Sequence, residues 1–75
     1  MKGKFNGADK IGDLLYINLL IRHEGYRGPD FCSLLFKGDP SELKGLKKGE
    51  DIEVIFENGD PIRIERLPPG SVVFE

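Results

Sequence analysis

Leu14-Leu15-Tyr16-Ile17-Asn18-Leu19-Leu20-Ile21-Arg22-His23 is the stretch on which the fold turns. Leu15, Ile17, Leu19 and Ile21 recur at period two, with Tyr16, Asn18, Leu20 and Arg22 between them. That is the pattern of a strand with one face in a core. A helix would gather Ile11, Leu14, Leu15 and Ile21 into a stripe, but Asn18 and Arg22 would interrupt it. Gly12 would also cost about 1 kcal/mol relative to Ala inside a helix. The stretch reads as a strand, and an all-β chain follows from it.

Working outward, Glu24-Gly25-Tyr26-Arg27-Gly28-Pro29-Asp30 is a loop by composition. Phe31 to Lys37 is a second strand, antiparallel to the first, with Cys32, Leu34 and Phe36 on one face and Phe31, Ser33, Leu35 and Lys37 on the other. Apolar groups on both faces suit a central strand of a closed or covered sheet. Asp39-Pro40-Ser41-Glu42 opens one short helical turn: Asp39 caps it, Pro40 takes the first position, and Glu42 follows at capping-box spacing. Lys47-Lys48-Gly49-Glu50 then turns into a hairpin of Asp51–Phe56 and Pro61–Leu67. A three-residue loop, Glu57-Asn58-Gly59, pairs Val54 with Ile62, Ile52 with Ile64 and Glu53 with Arg63. A two-residue Asn58-Gly59 loop would mix apolar and charged residues on one face. After Pro68-Pro69-Gly70, the piece from Ser71 to Glu75 either pairs with Lys2 to Phe5 and closes the sheet or hangs as a loose tail.

A sheet this small cannot leave both edges bare and stay monomeric. The expected solution is a single domain over residues 1–75, a small OB-like or SH3-like barrel of roughly four to six strands with the helical turn plugging one end. The run Phe31-Cys32-Ser33-Leu34-Leu35-Phe36-Lys37-Gly38, then Ser41-Glu42-Leu43 and Leu46 to Val54, resembles the OB-fold of single-stranded DNA-binding proteins. In that family a strand ends near a Phe-Gly pair, a short helix follows, and a Leu-x-Lys-Gly turn leads into an alternating strand. The resemblance covers about a third of the chain, which has no tryptophan and lacks the family's basic, aromatic first hairpin and its glycine-rich tail. It implies a barrel and, with it, an oligonucleotide-binding surface on the second and third strands.

Eleven Lys and Arg against thirteen Asp and Glu give a net charge of −2, which argues against coating duplex DNA by bulk charge. The basic residues lean toward the first half and the carboxylates toward the second. Cys32 is the only cysteine and His23 the only histidine, so an intramolecular disulfide and a Cys/His zinc site are both excluded. Cys32 reads as a small core residue and the compartment as a reducing cytoplasm. No apolar run approaches the ~20 residues of a membrane-spanning helix, and none follows Met1-Lys2-Gly3-Lys4 as in a signal peptide.

No phosphate-binding loop, dinucleotide glycine fingerprint or nucleophile elbow is present, so neither catalysis nor a cofactor is expected. His23 at a strand end suits a loop-bracing or solvated role, and Asp51, Glu53 and Glu57 suit a solvated strand face better than a metal site. The suggestive cluster is Arg22, His23, Tyr26 and Arg27, near Phe31 and Lys37 of the next strand and sharing a face with Tyr16. Aromatics that stack bases, flanked by cations for phosphates, are the working parts of single-strand binders. The function expected is a binding module for single-stranded nucleic acid. The competing expectation is a protein-interaction or dimerisation module, since Leu20, Phe31 and Leu35 lie on faces one small core need not cover.

Overall fold

The computed structural model describes residues 1–22, 25 and 28–74; His23, Glu24, Tyr26, Arg27 and Glu75 lie outside the described residues. Five antiparallel strands, β1 (Lys2–Ile11), β2 (Leu14–Arg22), β3 (Pro29–Leu35), β4 (Asp51–Glu57) and β5 (Asp60–Arg66), form one sheet in the order β3-β2-β1-β4-β5. A 3-10 turn, Pro40–Leu43, lies between β3 and β4. The long apolar stretch is a strand, and its odd-numbered positions face the core: Ile17 and Leu19 are buried, and Leu15 and Ile21 pack beside them. Phe5, Phe36, Ile52 and Val54 complete this cluster, with Leu43 and Leu46 closing one side of it.

β1 runs well past Lys2 to Phe5, the piece expected to pair in the sheet. Gly3, Asn6, Gly7 and Asp9 read as breakers, yet β1 pairs with β2 along its length and with β4 through Lys2–Glu53, Gly3–Ile52 and Lys4–Asp51. Gly3 lies so close to β2 that a Cβ there would stand 2.8 Å from the Leu20 carbonyl oxygen. Between Phe5 and Ala8 the β1–β2 register slips by one, with Gly7 at φ 101°. This is a bulge in which a glycine takes the conformation side chains avoid. The other partner expected for Lys2–Phe5 is absent, because residues 71–74 form no strand. Val72 is nonetheless buried, so this segment is not a loose tail.

The sheet is not closed into a barrel. β3 is an edge strand rather than a central one, and it begins at Pro29, inside the expected loop. The two edges touch just past β3, where Lys37 N–H donates to the Pro61 carbonyl at 2.8 Å. A Cβ on Gly38 would lie 1.8 Å from the Ile62 carbonyl oxygen, so only glycine permits that approach. Beyond it the β5 edge is satisfied differently: the Glu42 carboxylate accepts from Ile64 N–H at 3.1 Å. Glu42 therefore does not complete a capping box, and Asp39 alone caps the turn, accepting from Ser41 N–H at 2.9 Å.

The β4–β5 hairpin corrects the expected register. Its loop is the two-residue Asn58-Gly59, with φ 52° and 83°, the left-handed pair favoured in tight hairpins. The apolar pairing that seemed to exclude this loop is restored by a slip between Ile55 and Phe56, which pair with Arg63 and Pro61 and leave Ile62 as the extra residue. Val54 then faces Ile64, Ile52 faces Arg66, and Glu53 faces Glu65 rather than Arg63. Arg63 lies 3.4 Å from Glu65 along the same strand, which offsets that like-charge pair.

Asp51 was expected on a solvated face and is instead buried, at 5% exposure. Lys4 Nζ donates to one carboxylate oxygen at 2.5 Å; Gly70 N–H at 2.7 Å and Val72 N–H at 3.4 Å donate to the other. One carboxylate thus ties β1, β4 and the terminal segment together. The Lys4 hydrogen bond holds its pKa below 3.8 against the opposing effect of burial, helped by the two backbone donors.

Two predictions follow from these contacts. Gly38→Ala pushes the two sheet edges apart and lowers stability by about 1–3 kcal/mol or more; an unchanged urea midpoint would contradict the seam. For Asp51, the unfolded chain takes up a proton at higher pH than the folded protein. The stability from this carboxylate is therefore present above 3.8 and drains as pH falls below it. Asp51→Asn is expected to lower the urea midpoint near neutral pH, with the gap to the parent protein narrowing on acidification.

Candidate nucleic-acid interface

The residues between the core positions of β2 line the opposite, outer face of the sheet. Register carries this face onto β3: Tyr16 pairs with Leu35, Asn18 with Ser33, Leu20 with Phe31, and Arg22 with Pro29. Phe31 is 76% exposed, the most exposed large apolar side chain described, beside a half-buried Leu20. Tyr16 and Leu35, both half-buried, form a second apolar row four residues along. At ~3.3 Å per residue the two rows stand about 13 Å apart.

Between them runs a polar row. Asn18 Nδ2 donates to Asp9 Oδ2 at 2.9 Å, and Ser33 Oγ donates to Asn18 Oδ1 at 2.7 Å. Sequence reading missed this row, because Asp9 reaches the outer face only through the bulge. Without the slip, the Phe5–Leu19 register would set Asp9 opposite Leu15, on the core side. The pair Asn6-Gly7 was the available signal, being a dipeptide that marks turns and bulges.

Of the expected site residues, Tyr16, Arg22 and Phe31 share this face, while His23, Tyr26 and Arg27 lie outside the described residues. Lys37 does not join Arg22 and Phe31. It lies past the Tyr16–Leu35 end of the face, in a hollow of about 210 Å³ shared with Asp13, Leu14 and Pro40. Arg22 lies six residues from Tyr16 at the other end, roughly 20 Å away. Arg22 is exposed and ends β2, beside the connection that leads to β3. At the edge of the face, Asp30 turns its carboxylate back onto Phe31 N–H at 2.9 Å.

A separate cleft of about 570 Å³ lies where the start of β4 meets the terminal segment. Its charged lining is Lys4, Lys47, Lys48 and Arg66 against Glu50 and Asp51. Much of that charge is matched internally, Lys4 by Asp51 and Arg66 by Glu50 at 3.3 Å. Among the described residues, no group of three His, Cys, Asp or Glu side chains is placed to hold a metal ion. The chain matches no protein-family model, no curated protein and no solved structure.

Proposed function

We propose that this protein is a non-catalytic binding module that holds single-stranded nucleic acid against the outer face of β2 and β3. The observation that carries the reading is the position of Phe31. Burying a phenylalanine is worth about 1.5–3 kcal/mol, and here that side chain stands in solvent on the regular β2–β3 pair, opposite Leu20. A second aromatic, Tyr16, lies on the same face in the next apolar row, about 13 Å along the strands. Stacking on such rings is worth about 1–3 kcal/mol per base and tolerates any base, because every base has a π-face.

The strand order supports the same reading. β1 lies between β2 and β4, the chain just past β3 bonds to β5 through Lys37, and a helical turn lies between β3 and β4. These neighbour relations suit a partly open five-stranded Greek-key barrel of the OB type, in which the face of strands two and three takes oligonucleotides. With a chain charge of −2, affinity on this face rests on stacking, with Arg22 contributing to a phosphate.

A protein partner is the second reading. The edge of β3 away from β2 pairs with no strand over Pro29–Leu35, and open edges accept added strands. A dimer or adaptor would show a mass that rises with concentration and no response to oligonucleotide.

The test is fluorescence anisotropy of a labelled single-stranded oligonucleotide at low and moderate salt. Phe31→Ala is expected to weaken binding about tenfold with little change in urea midpoint, since the ring is exposed, and Tyr16→Ala to weaken it similarly. No binding at low salt would overturn the proposal.

A further inference from the structure

We infer that the open edge of β3 pairs with the same edge of a second copy of this chain, antiparallel about Ser33, so that one sheet runs through both copies. The inference goes beyond the nucleic-acid reading and stands whether or not the outer face takes an oligonucleotide.

Backbone parity defines the edge. Phe36 N–H donates to the Leu15 carbonyl at 2.8 Å, and antiparallel bonds recur at every second residue. Asp30, Cys32 and Leu34 therefore turn their backbone groups to β2, while Pro29, Phe31, Ser33, Leu35 and Lys37 turn theirs away. Pro29 has no N–H to give, and the Lys37 N–H goes to the Pro61 carbonyl. Phe31 N–H is met only by the carboxylate of its neighbour Asp30. Ser33 and Leu35 N–H have no partner among the described residues. The donors on offer are thus Phe31, Ser33 and Leu35, evenly spaced about Ser33, with a residue that offers none at either end.

That arrangement is its own complement. An antiparallel copy centred on Ser33 sets Phe31 opposite Leu35, Ser33 opposite Ser33, and Leu35 opposite Phe31, each pair exchanging both backbone bonds. Pro29 then meets Lys37, where neither has an N–H to offer, and the pairing stops there. The side chains agree with the backbone. Within one chain, Leu20 lies beside Phe31, Asn18 beside Ser33, and Tyr16 beside Leu35. Across the junction the rows continue as Leu20, Phe31, Leu35, Tyr16 and as Asn18, Ser33, Ser33, Asn18. Apolar rows run into apolar rows and the polar row runs into itself. Sliding the copy by two residues sets Phe31 against Ser33 or against Lys37 instead.

Two further features suit a second copy. Phe31, 76% exposed in the single chain, gains an apolar neighbour on its open side, the Leu35 of the second copy. The Asp30 carboxylate that shields Phe31 N–H gives way to the Leu35 carbonyl and then stands diagonal to Lys37 of the second copy, an opposite charge. Any extended strand can bond to an edge backbone; a second copy also matches all three side-chain rows.

The test measures mass in solution against protein concentration, without oligonucleotide, for the parent protein and Ser33→Pro. Proline at an outward-facing edge position removes no bond from the sheet of one chain, but it takes away the central donor. The parent mass is expected to double as concentration rises. Ser33→Pro is expected to keep the mass of one chain, with unchanged strand content by circular dichroism. A parent that stays at one chain mass up to millimolar concentration overturns the inference, and so does a folded Ser33→Pro that dimerises like the parent. Air oxidation of single-cysteine chains on a Cys32→Ala background reads the register and decides the matter if Ser33→Pro does not fold. Facing Ser33 residues have Cα atoms about 5.5 Å apart, within disulfide reach, while the two Phe31 residues stand more than about 13 Å apart. Ser33→Cys is therefore expected to give covalent dimers and Phe31→Cys to remain single chains. Absence of covalent dimers from Ser33→Cys overturns the pairing.

Discussion

Every other strand takes its place from the first residues of β1. Lys2, Gly3 and Lys4 pair with β4, while Lys4 and Phe5 pair with β2 on the other side. Beyond the paired residues, the Met1 terminal amine donates to the Val54 carbonyl, and Phe5 exchanges backbone bonds with Gly49 and Glu50. No other strand joins the β2–β3 pair to the β4–β5 hairpin in sheet order. The core is the consequence: Phe5, Ile17 and Leu19 come from one side of this junction, and Ile52 and Val54 from the other. At Gly3 the neighbouring strand comes close enough that a Cβ would stand 2.8 Å from the Leu20 carbonyl oxygen.

The bulge at Gly7 separates two regimes along the same strand. Before it, β1 is bonded on both sides; after it, β1 follows β2 alone out to the Ile11–Leu14 pair. The slip exchanges which side chains meet the core and which meet solvent, since strand side chains alternate with period two. Junction and outer face are thus coupled through one glycine. The polar row on the outer face exists because the backbone beneath it is irregular.

Edge management explains why the sheet stops short of closure. β5 loses a donor at Pro61, spends the Pro61 carbonyl on Lys37, and gives the Ile64 N–H to Glu42. The chain just past β3 meets β5 at Lys37 and Gly38. The terminal segment has no strand of its own, yet Asp51 anchors it by accepting from Gly70 and Val72. A buried carboxylate needs such donors, and the backbone of the last residues supplies two of them.

Local pattern alone determined the all-β class, the strand at Leu14–Arg22 with its inward and outward faces, the alternation on β3, the Asp39 cap and the existence of the β4–β5 hairpin. Each depends on residues a few positions apart, through side-chain alternation, capping chemistry or turn preference. It also placed Tyr16, Arg22 and Phe31 on one face, because period two carries across a hairpin. Tertiary structure decided the rest. It made a strand of the polar, glycine-rich Lys2–Ile11 by bonding it to two neighbours, shifted the β4–β5 register with a bulge, and parted Lys37 from Arg22 along the length of β3. It buried Asp51 against Lys4 and brought Asp9 to Asn18. Those outcomes turn on which backbone edges are left unpaired after the local elements form, and a strand edge is completed by whatever partner folding brings to it.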